Sequence, residues 1–450
     1  MRQSRYTVTA DSPTGAHLLY NTASGAFAEA DDDAFAAYLA CSGPWAGALA
    51  EAGFLTDLSP EEELEIQQRK FDATRADRST LTISLIPTYV CNYRCPYCYE
   101  QGHNSVKGKM DASMMDTVCA FVESRYGQDA FTKLSIQWYG GDPSLALDVV
   151  EELSARLINW CDERDIAYDA FMLSNANLID EQAAKLIARA RVSSVMLTID
   201  GPEEMHNRRR VAADGSNSYE RNIAAARYLR DNGVAVFATM NVDKVSWPLY
   251  AELRDKLLAE EGISLSPGKL CDYGHFFGQA PFAKPDFDLF THEEFARARL
   301  EVFEQLPHTA AELQDMLRPI DRFCTGQLNN YFVIDLLGDV YNCDGWVGDR
   351  SYVRFNLHDD PSTWKLSDIS HDATRDEQCR ECELLPLCMG NCHWERACND
   401  WPCHPFRYTL DGYLRVYRSC FDGAPEGDSV GASEGGSAGA PEGGGFTRFA

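Results

Sequence analysis

Between Leu81 and Leu270 the chain repeats one pattern, a short apolar run followed by a longer stretch with helical spacing. The runs are LTISLIPTY, KLSIQWYGG, YDAFMLSNAN, SVMLTIDG, VAVFATMNV and ISLSPGKL, with helical stretches such as DASMMDTVCAFVESRYG and VVEELSARLINWCDERD between them. A short apolar run bounded by turn residues reads as a strand. Parallel neighbours need a crossover of a dozen or more residues, which a helix supplies. Strand–helix–strand repeated six times therefore predicts an α/β fold, a parallel sheet curled as a partial (β/α)6 TIM-like barrel. Such sheets carry their chemistry on the loops at the C-terminal ends of the strands.

The first of these loops reads CNYRCPYCYE and holds three cysteines, Cys91, Cys95 and Cys98. A disulfide framework wants an even number, and a structural metal site wants four ligands. The start, MRQSRYTVTADSPTG, has no apolar signal-peptide core, and no run is apolar enough to span a bilayer. A cytoplasmic location is thus expected, with no membrane partner. There the sixteen cysteines read as metal or redox ligands before they read as disulfides. A formal charge of -28 argues against nucleic acid as a partner, because phosphate binding leans on Lys and Arg. Three thiolates on one loop can hold three irons of a [4Fe–4S] cube and leave the fourth open. The alternative is a tetrahedral zinc site completed by a distant ligand such as His103.

The CX3CX2C spacing after the first strand, with Tyr97 before the last cysteine, resembles the radical S-adenosylmethionine (radical SAM) superfamily. The resemblance implies that Cys91, Cys95 and Cys98 ligate a cluster whose open iron chelates S-adenosylmethionine. It further implies reductive cleavage of that cofactor to a 5′-deoxyadenosyl radical, with Tyr97 near the adenine. YGGDP resembles the family's GGEP stretch, which assigns cofactor contacts to Gly140, Gly141 and Asp142, with Asp where Glu is usual. LSNAN assigns Ser174 and Asn175. LTIDGPEEMHNRRR resembles S/T-x-D-G-P-x-x-x-H-D-x-x-R, which assigns Thr198 and Arg210 and matches Asp200 and His206, with Asn207 in place of Asp. Which of the adjacent Arg208, Arg209 and Arg210 faces inward is left open.

A second group lies in CRECELLPLCMGNCHWERACNDWPC. Its C-x2-C-x5-C-x3-C spacing is too short between pairs for a zinc ribbon. With Cys324 and the upstream GDVYNC it resembles the SPASM extension of peptide- and protein-modifying radical SAM enzymes. That resemblance implies a first auxiliary cluster on Cys324, Cys343 and Cys392. It implies a second on Cys379, Cys382, Cys388 and a later cysteine, Cys403 or else Cys398. Three [4Fe–4S] clusters are then expected in all. No cysteine lies between Cys324 and Cys343, where sulfatase-maturating relatives have one more, so the first auxiliary cluster would also have an open iron. In thioether-forming relatives such an iron is proposed to bind a substrate thiolate. Asp344 follows Cys343, and a CD pair here supplies the general base of sulfatase maturases; the plainer reading is a solvated turn residue. Cys41, Cys119, Cys161 and Cys271 read as ordinary thiols.

The front of the chain reads as a module of its own. AHLLYNT and AFAEA flank a turn at ASG, Asp31–Asp33 precede a helix, and Ser59, Pro60 and Glu62 open a linking helix with a capping box. A hairpin followed by helices is also the outline of leader-recognition modules of peptide maturases. The organisation expected is 1–78 for this module and linker helix, 79–300 for the radical SAM core, 310–420 for the SPASM domain and 421–450 for a disordered tail. The resemblance implies an oxidoreductase that matures a ribosomally made precursor peptide, forming cysteine thioether crosslinks, with flavodoxin or ferredoxin as electron donor. Formylglycine formation on a sulfatase is the alternative. A third reading is a zinc-stabilised, non-catalytic binding protein, of which Asp142 and Asn207 would be the marks.

Overall fold

The computed structural model describes residues 1–100, 106–271, 287–366, 371–398, 403–422 and 446–449. Two compact units divide the chain: 1–75 with 291–324 and 371–450, and 76–290 with 325–370. His103 lies outside the described residues. Among those described, no helix is long and apolar enough to cross a membrane.

In the first unit β1 (Arg2–Gln3) forms a short antiparallel ladder with β5 (Leu55–Thr56). Strands β2 (Thr7–Asp11), β3 (His17–Asn21) and β4 (Phe27–Ala30) make an antiparallel meander. The expected turn closes the β3–β4 hairpin: Asn21 Oδ1 accepts from the amides of Ala23 and Ser24, and Gly25 takes the positive φ of +76° that glycine tolerates. Helix α1 (Asp32–Ala40) starts where Asp31 accepts from the Ala34 amide at 2.8 Å. Helix α2 (Ala46–Glu51) follows. The capping box opens α3 (Pro60–Ala76): the Ser59 amide donates to Glu62 at 2.7 Å, and the Glu62 amide donates back to Ser59 Oγ at 3.2 Å.

The second unit is built on one nine-stranded sheet. Strands β6 (Thr80–Ile86), β7 (Lys133–Trp138), β8 (Ala167–Leu173), β9 (Val192–Thr198), β10 (Ala235–Val242) and β11 (Ser264–Lys269) lie side by side in chain order, all parallel. Helices α4 (Ala112–Asp129), α5 (Leu147–Asp162), α6 (Glu181–Arg189), α7 (Glu203–Arg209), α8 (Ser218–Asp231) and α9 (Tyr250–Glu261) alternate with them. All six apolar runs are thus strands of one α/β parallel sheet. Strands β12 (Tyr331–Asp335), β13 (Asp339–Tyr341) and β14 (Phe355–Asn356) were not legible as members of it. β12 adds parallel to β6, pairing Val333 with Ser84, and the other two follow antiparallel.

The first unit is completed by α10 (His292–Glu304), α11 (Ala310–Leu317), α12 (Leu385–Cys388), α13 (His393–Cys398) and α14 (Phe406–Ser419). Leu410, Tyr413, Leu414 and Tyr417 of α14 pack with Leu18, Tyr20 and Phe27 on one face of the small sheet. Leu19, Ala28 and Ala30 face α1 and α2 on the other. The reading of 421–450 as wholly a tail needs correction, because Phe446–Phe449 forms β15, parallel to β4 at the edge of that sheet. The composition of a long Gly- and Ser-rich stretch conceals four strand-forming residues whose partner lies at the other end of the chain.

Candidate active site

The loop after β6 is fixed by the loop after β7. The amides of Gly141 and Asp142 donate to the carbonyls of Thr88 and Val90 at 3.1 and 3.0 Å. This approach is too close for any side chain. A Cβ on Gly141 would stand 2.4 Å from the Tyr89 oxygen and 2.5 Å from that of Val90, and one on Gly140 (φ +109°) would stand 2.8 Å from Thr88 O. The glycines therefore set the position of the segment leading directly into Cys91. Asp142, fully enclosed, accepts from the Ser144 amide at 2.9 Å, from Ser174 Oγ at 3.1 Å and from the Asn175 amide at 2.6 Å. Burial pushes its carboxyl up despite these donors. The shorter Asp thus serves as a clamp between the ends of β7 and β8.

Cys91, Cys95 and Cys98 pack in one cluster with Tyr93, Tyr97 and Ala212. The far side of their loop is held by the Arg94 amide on Val211 O at 2.8 Å and by the Ala213 amide on Asn92 O at 2.8 Å. Cys91 Sγ accepts from the Tyr93 amide at 3.4 Å, and Asn175 Nδ2 lies 3.6 Å from it. Burial pushes the Cys91 thiol up to about 12 and raises Cys95 and Cys98 as well. Three gathered, desolvated thiols are costly to ionise alone, and an iron cluster supplies the positive charge that makes them thiolates. The donor set fits such a group. Glu100, two residues on, was not singled out from the sequence; burial and the nearby Asp344 raise its carboxyl to about 7, and its Oε1 has no hydrogen-bond partner among the described residues.

The three arginines separate cleanly. Arg208 pairs with exposed Glu204, Arg209 pairs with buried Asp243 at 2.8 Å, and Arg210 turns inward. Arg210 Nη1 donates to the Tyr97 hydroxyl at 3.1 Å and lies 3.8 Å from Asp200, whose carboxylate also receives Tyr97 and the Asn241 amide. Thr198, half-buried at the end of β9, accepts through its carbonyl from Asn222 Nδ2 at 3.1 Å. His206 accepts the Asp200 amide on Nδ1 at 3.2 Å, and burial, aided by the Arg210 charge, drives its pKa down to about 3. The folded chain therefore refuses a proton that the unfolded chain takes below about 6.5. Stability tied to His206 is full above that pH and falls by about 1.4 kcal/mol per unit as the pH drops from there toward 3. Denaturant titrations should show about 2 kcal/mol more loss between pH 7 and 5 for the parent than for His206→Gln.

Asp344 is no solvated turn residue. It is enclosed in the second unit, where it accepts from Ser84 Oγ at 2.6 Å, Tyr331 OH at 2.8 Å and Gln137 Nε2 at 3.1 Å, and burial raises its carboxyl. Its neighbour Cys343 accepts the Gly345 amide at 3.4 Å in the same unit, whereas Cys324 and Cys392 belong to the first. In that first unit Cys379, Cys382, Cys388 and Cys403 line one cavity of about 230 Å³ with Arg396, His404 and Arg407. Arg396 Nη1 donates to Cys379 Sγ at 3.3 Å and to Gly390 O at 2.9 Å. Cys398, buried on α13, is absent from that lining.

The model of the Radical SAM superfamily matches residues 85–247, the span from β6 through β10 that holds these loops. A cysteine-type anaerobic sulfatase-maturating enzyme of Clostridium perfringens is 26% identical over 369 residues, covering 74% of this chain and 93% of the relative. A serine-type enzyme of Bacteroides thetaiotaomicron is 22% identical over 73% of this chain and 86% of its own length. The radical SAM cyclopropyl synthase TigE of Paramaledivibacter caminithermalis is 24% identical over 38% of this chain and 37% of its own. The solved structure of native anSMEcpe with bound AdoMet and Cp18Cys peptide shares the fold, with TM-score 0.57 and 19% identity over 76% of this chain and 99% of that one. Residues 85–247 carry a radical SAM domain, and the chain is an enzyme that works with S-adenosylmethionine and iron–sulfur chemistry.

Proposed function

We propose that this enzyme is a maturase acting on a cysteine-containing, ribosomally made peptide, and that it forms thioether crosslinks. The observation that carries the reading is the second cysteine cavity: a radical SAM loop in one unit is accompanied by a separate four-cysteine site in the other. The C. perfringens relative is named a cysteine-type anaerobic sulfatase-maturating enzyme, and anSMEcpe is solved with a bound Cp18Cys peptide, which supports a peptide or protein substrate. When bound, the cluster and S-adenosylmethionine supply an electron and a carbon radical that takes a hydrogen atom.

The chain's own residues hold and orient. Cys91, Cys95 and Cys98 carry the cofactor cluster, while Gly140, Gly141, Ser174, Asn175, Thr198 and Arg210 shape the cofactor's surroundings. Tyr97 acts through its hydroxyl, held by Asp200 and Arg210, and Asp142 acts by clamping the strand ends. Cys379, Cys382, Cys388 and Cys403 hold the second auxiliary cluster. A precursor peptide and a flavodoxin or ferredoxin are the partners in this reading. Hydrogen bonds to cluster sulfurs set reduction potential. Arg396→Met, which removes the donor to Cys379, is therefore expected to lower one auxiliary potential by about 60 mV or more, a tenfold change in a one-electron equilibrium. Redox titration followed by electron paramagnetic resonance reads this directly.

Formylglycine formation is the second reading, favoured by the enclosure of Asp344, a carboxyl placed to hold a proton. Anaerobically reconstituted enzyme with a cysteine-rich candidate peptide separates the two. Thioether formation removes two hydrogens per link and leaves the cysteine unreactive to alkylation. A product aldehyde captured by a hydrazide establishes formylglycine instead, and absence of 5′-deoxyadenosine would sink both. Asp344→Asn is expected to slow an aldehyde-forming reaction by roughly 100-fold or more, the range of a lost general base, and to leave 5′-deoxyadenosine formation in place.

A further inference from the structure

The small sheet of the first unit ends in an edge that is occupied in an unusual way. Strand β4 is buried along its whole length, although it is followed in the chain by no neighbouring strand. Its outer edge is covered by β15, from the far end of the chain, in parallel register with Phe446 opposite Phe27 and Phe449 opposite Ala30. The Asp31 amide, just past β4, donates to Phe449 O at 2.9 Å.

The side chains of β15 are received on both faces of the sheet. On one face the Phe446 ring stacks on Phe421 with centroids 4.2 Å apart and lies 5.5 Å from Phe27. Arg448 Nε reaches Glu29 at 3.3 Å on the same face. On the other face Phe449, only 4% exposed, stands edge-on to Trp45 at 5.9 Å and to Phe54 at 6.3 Å. Backbone pairing along an edge gives affinity for any extended segment, and recesses for alternate side chains give selection. Two aromatic recesses and a carboxylate between them read an aromatic–x–basic–aromatic sequence, which is what Phe446–Phe449 presents. The stretch 423–445 that joins this segment to Asp422 is Gly, Ala, Ser, Pro, Glu and Asp with one larger apolar residue, Val430.

We propose that the outer edge of β4 is a peptide-docking groove selective for extended aromatic–x–basic–aromatic segments, with Phe446–Phe449 as its resident, exchangeable occupant. A peptide of that kind must displace the resident, whose tether gives it a local-concentration advantage. An edge strand left uncovered invites pairing with other chains, and the resident prevents this when no partner is present. Binding at the groove needs neither cofactor nor peptide chemistry, so its outcome is independent of the maturase reading.

The test uses the full chain with a protease recognition sequence inserted after Gly436, cut after folding. A fluorescent peptide spanning 445–450 is then titrated and its anisotropy followed. The cut protein is expected to bind saturably and at least 10-fold more tightly than the uncut protein, and the same peptide with both Phe changed to Ala is expected not to bind. Equal binding to cut and uncut protein, or binding of the Ala peptide, overturns the proposal. So does a cut fragment that never exchanges. In an uncut Phe446→Ala/Phe449→Ala variant, peptide binding should likewise tighten at least 10-fold, with circular dichroism confirming the fold. Light scattering that shows a concentration-dependent dimer would assign the occupant to a second copy and overturn the assignment within one chain.

Discussion

Cys95→Ala is expected to abolish 5′-deoxyadenosine formation and to remove roughly four irons per chain, the content of one cube. Cys95 is the most enclosed of the three loop cysteines, 7% exposed and packed on Tyr93 and Ala212. Its sulfur cannot be replaced from elsewhere, because the loop is pinned on both sides by backbone hydrogen bonds to 211–213 and to 139–142. Changes to groups that merely orient metal ligands cost roughly 10–100-fold. Loss of a ligand from a three-ligand site should exceed that, so activity more than about 100-fold down is the expected result. Cys161→Ala is the control. That thiol is fully buried on α5 and should cost about 1 kcal/mol of stability as a small core deletion, with iron content unchanged. Iron analysis and the cluster's visible absorbance check both. Full iron retention by Cys95→Ala would remove the loop from the chemistry.

Gly141→Ala is expected to do nearly as much damage through the backbone. Its Cβ would fall 2.4–2.5 Å from Tyr89 O, Tyr89 C and Val90 O, atoms that cannot rotate away as a side-chain end would. Overpacking at an ordinary core position costs about 1–3 kcal/mol, and here relief comes only by moving the segment that carries Cys91. The expected outcome is a destabilisation of about 3 kcal/mol with loss of most loop-bound iron. Gly127→Ala provides the opposite sign in the same unit. Gly127 lies within α4, and a Cβ there meets nothing within 4 Å, so the change should stabilise by up to about 1 kcal/mol. Denaturant midpoints of the pair, with iron content, separate a steric effect from general fragility.

The most legible parts of the chain were those governed by local rules. Six apolar runs became six parallel strands in order, because each strand buries alternate residues in the core and parallel neighbours need a helical crossover. The capping box at Ser59 and the turn at Gly25 stand where their short-range hydrogen bonds require. The cysteine spacing of the first loop was informative for the same reason, since three cysteines on one loop need no distant partner to be packed together.

What the sequence could not show depended on pairings between distant segments. Nothing in YFVID marks it as the neighbour of β6, and nothing in FTRF marks it as the neighbour of β4. Asp142 was legible as a residue at a strand end; only the fold shows that its two oxygens are taken up by Ser144, Ser174 and Asn175. Of three adjacent arginines the sequence could not choose one, because the choice rests on which of them meets Asp200 and which Asp243. Asp344 looked like a turn residue until Ser84, Gln137 and Tyr331, from three different strands, closed around it. Local spacing and periodicity determined the class of fold and singled out the three cysteines of the first loop. Tertiary structure decided burial and hydrogen-bond partners, because both depend on residues that only folding brings within a few ångströms.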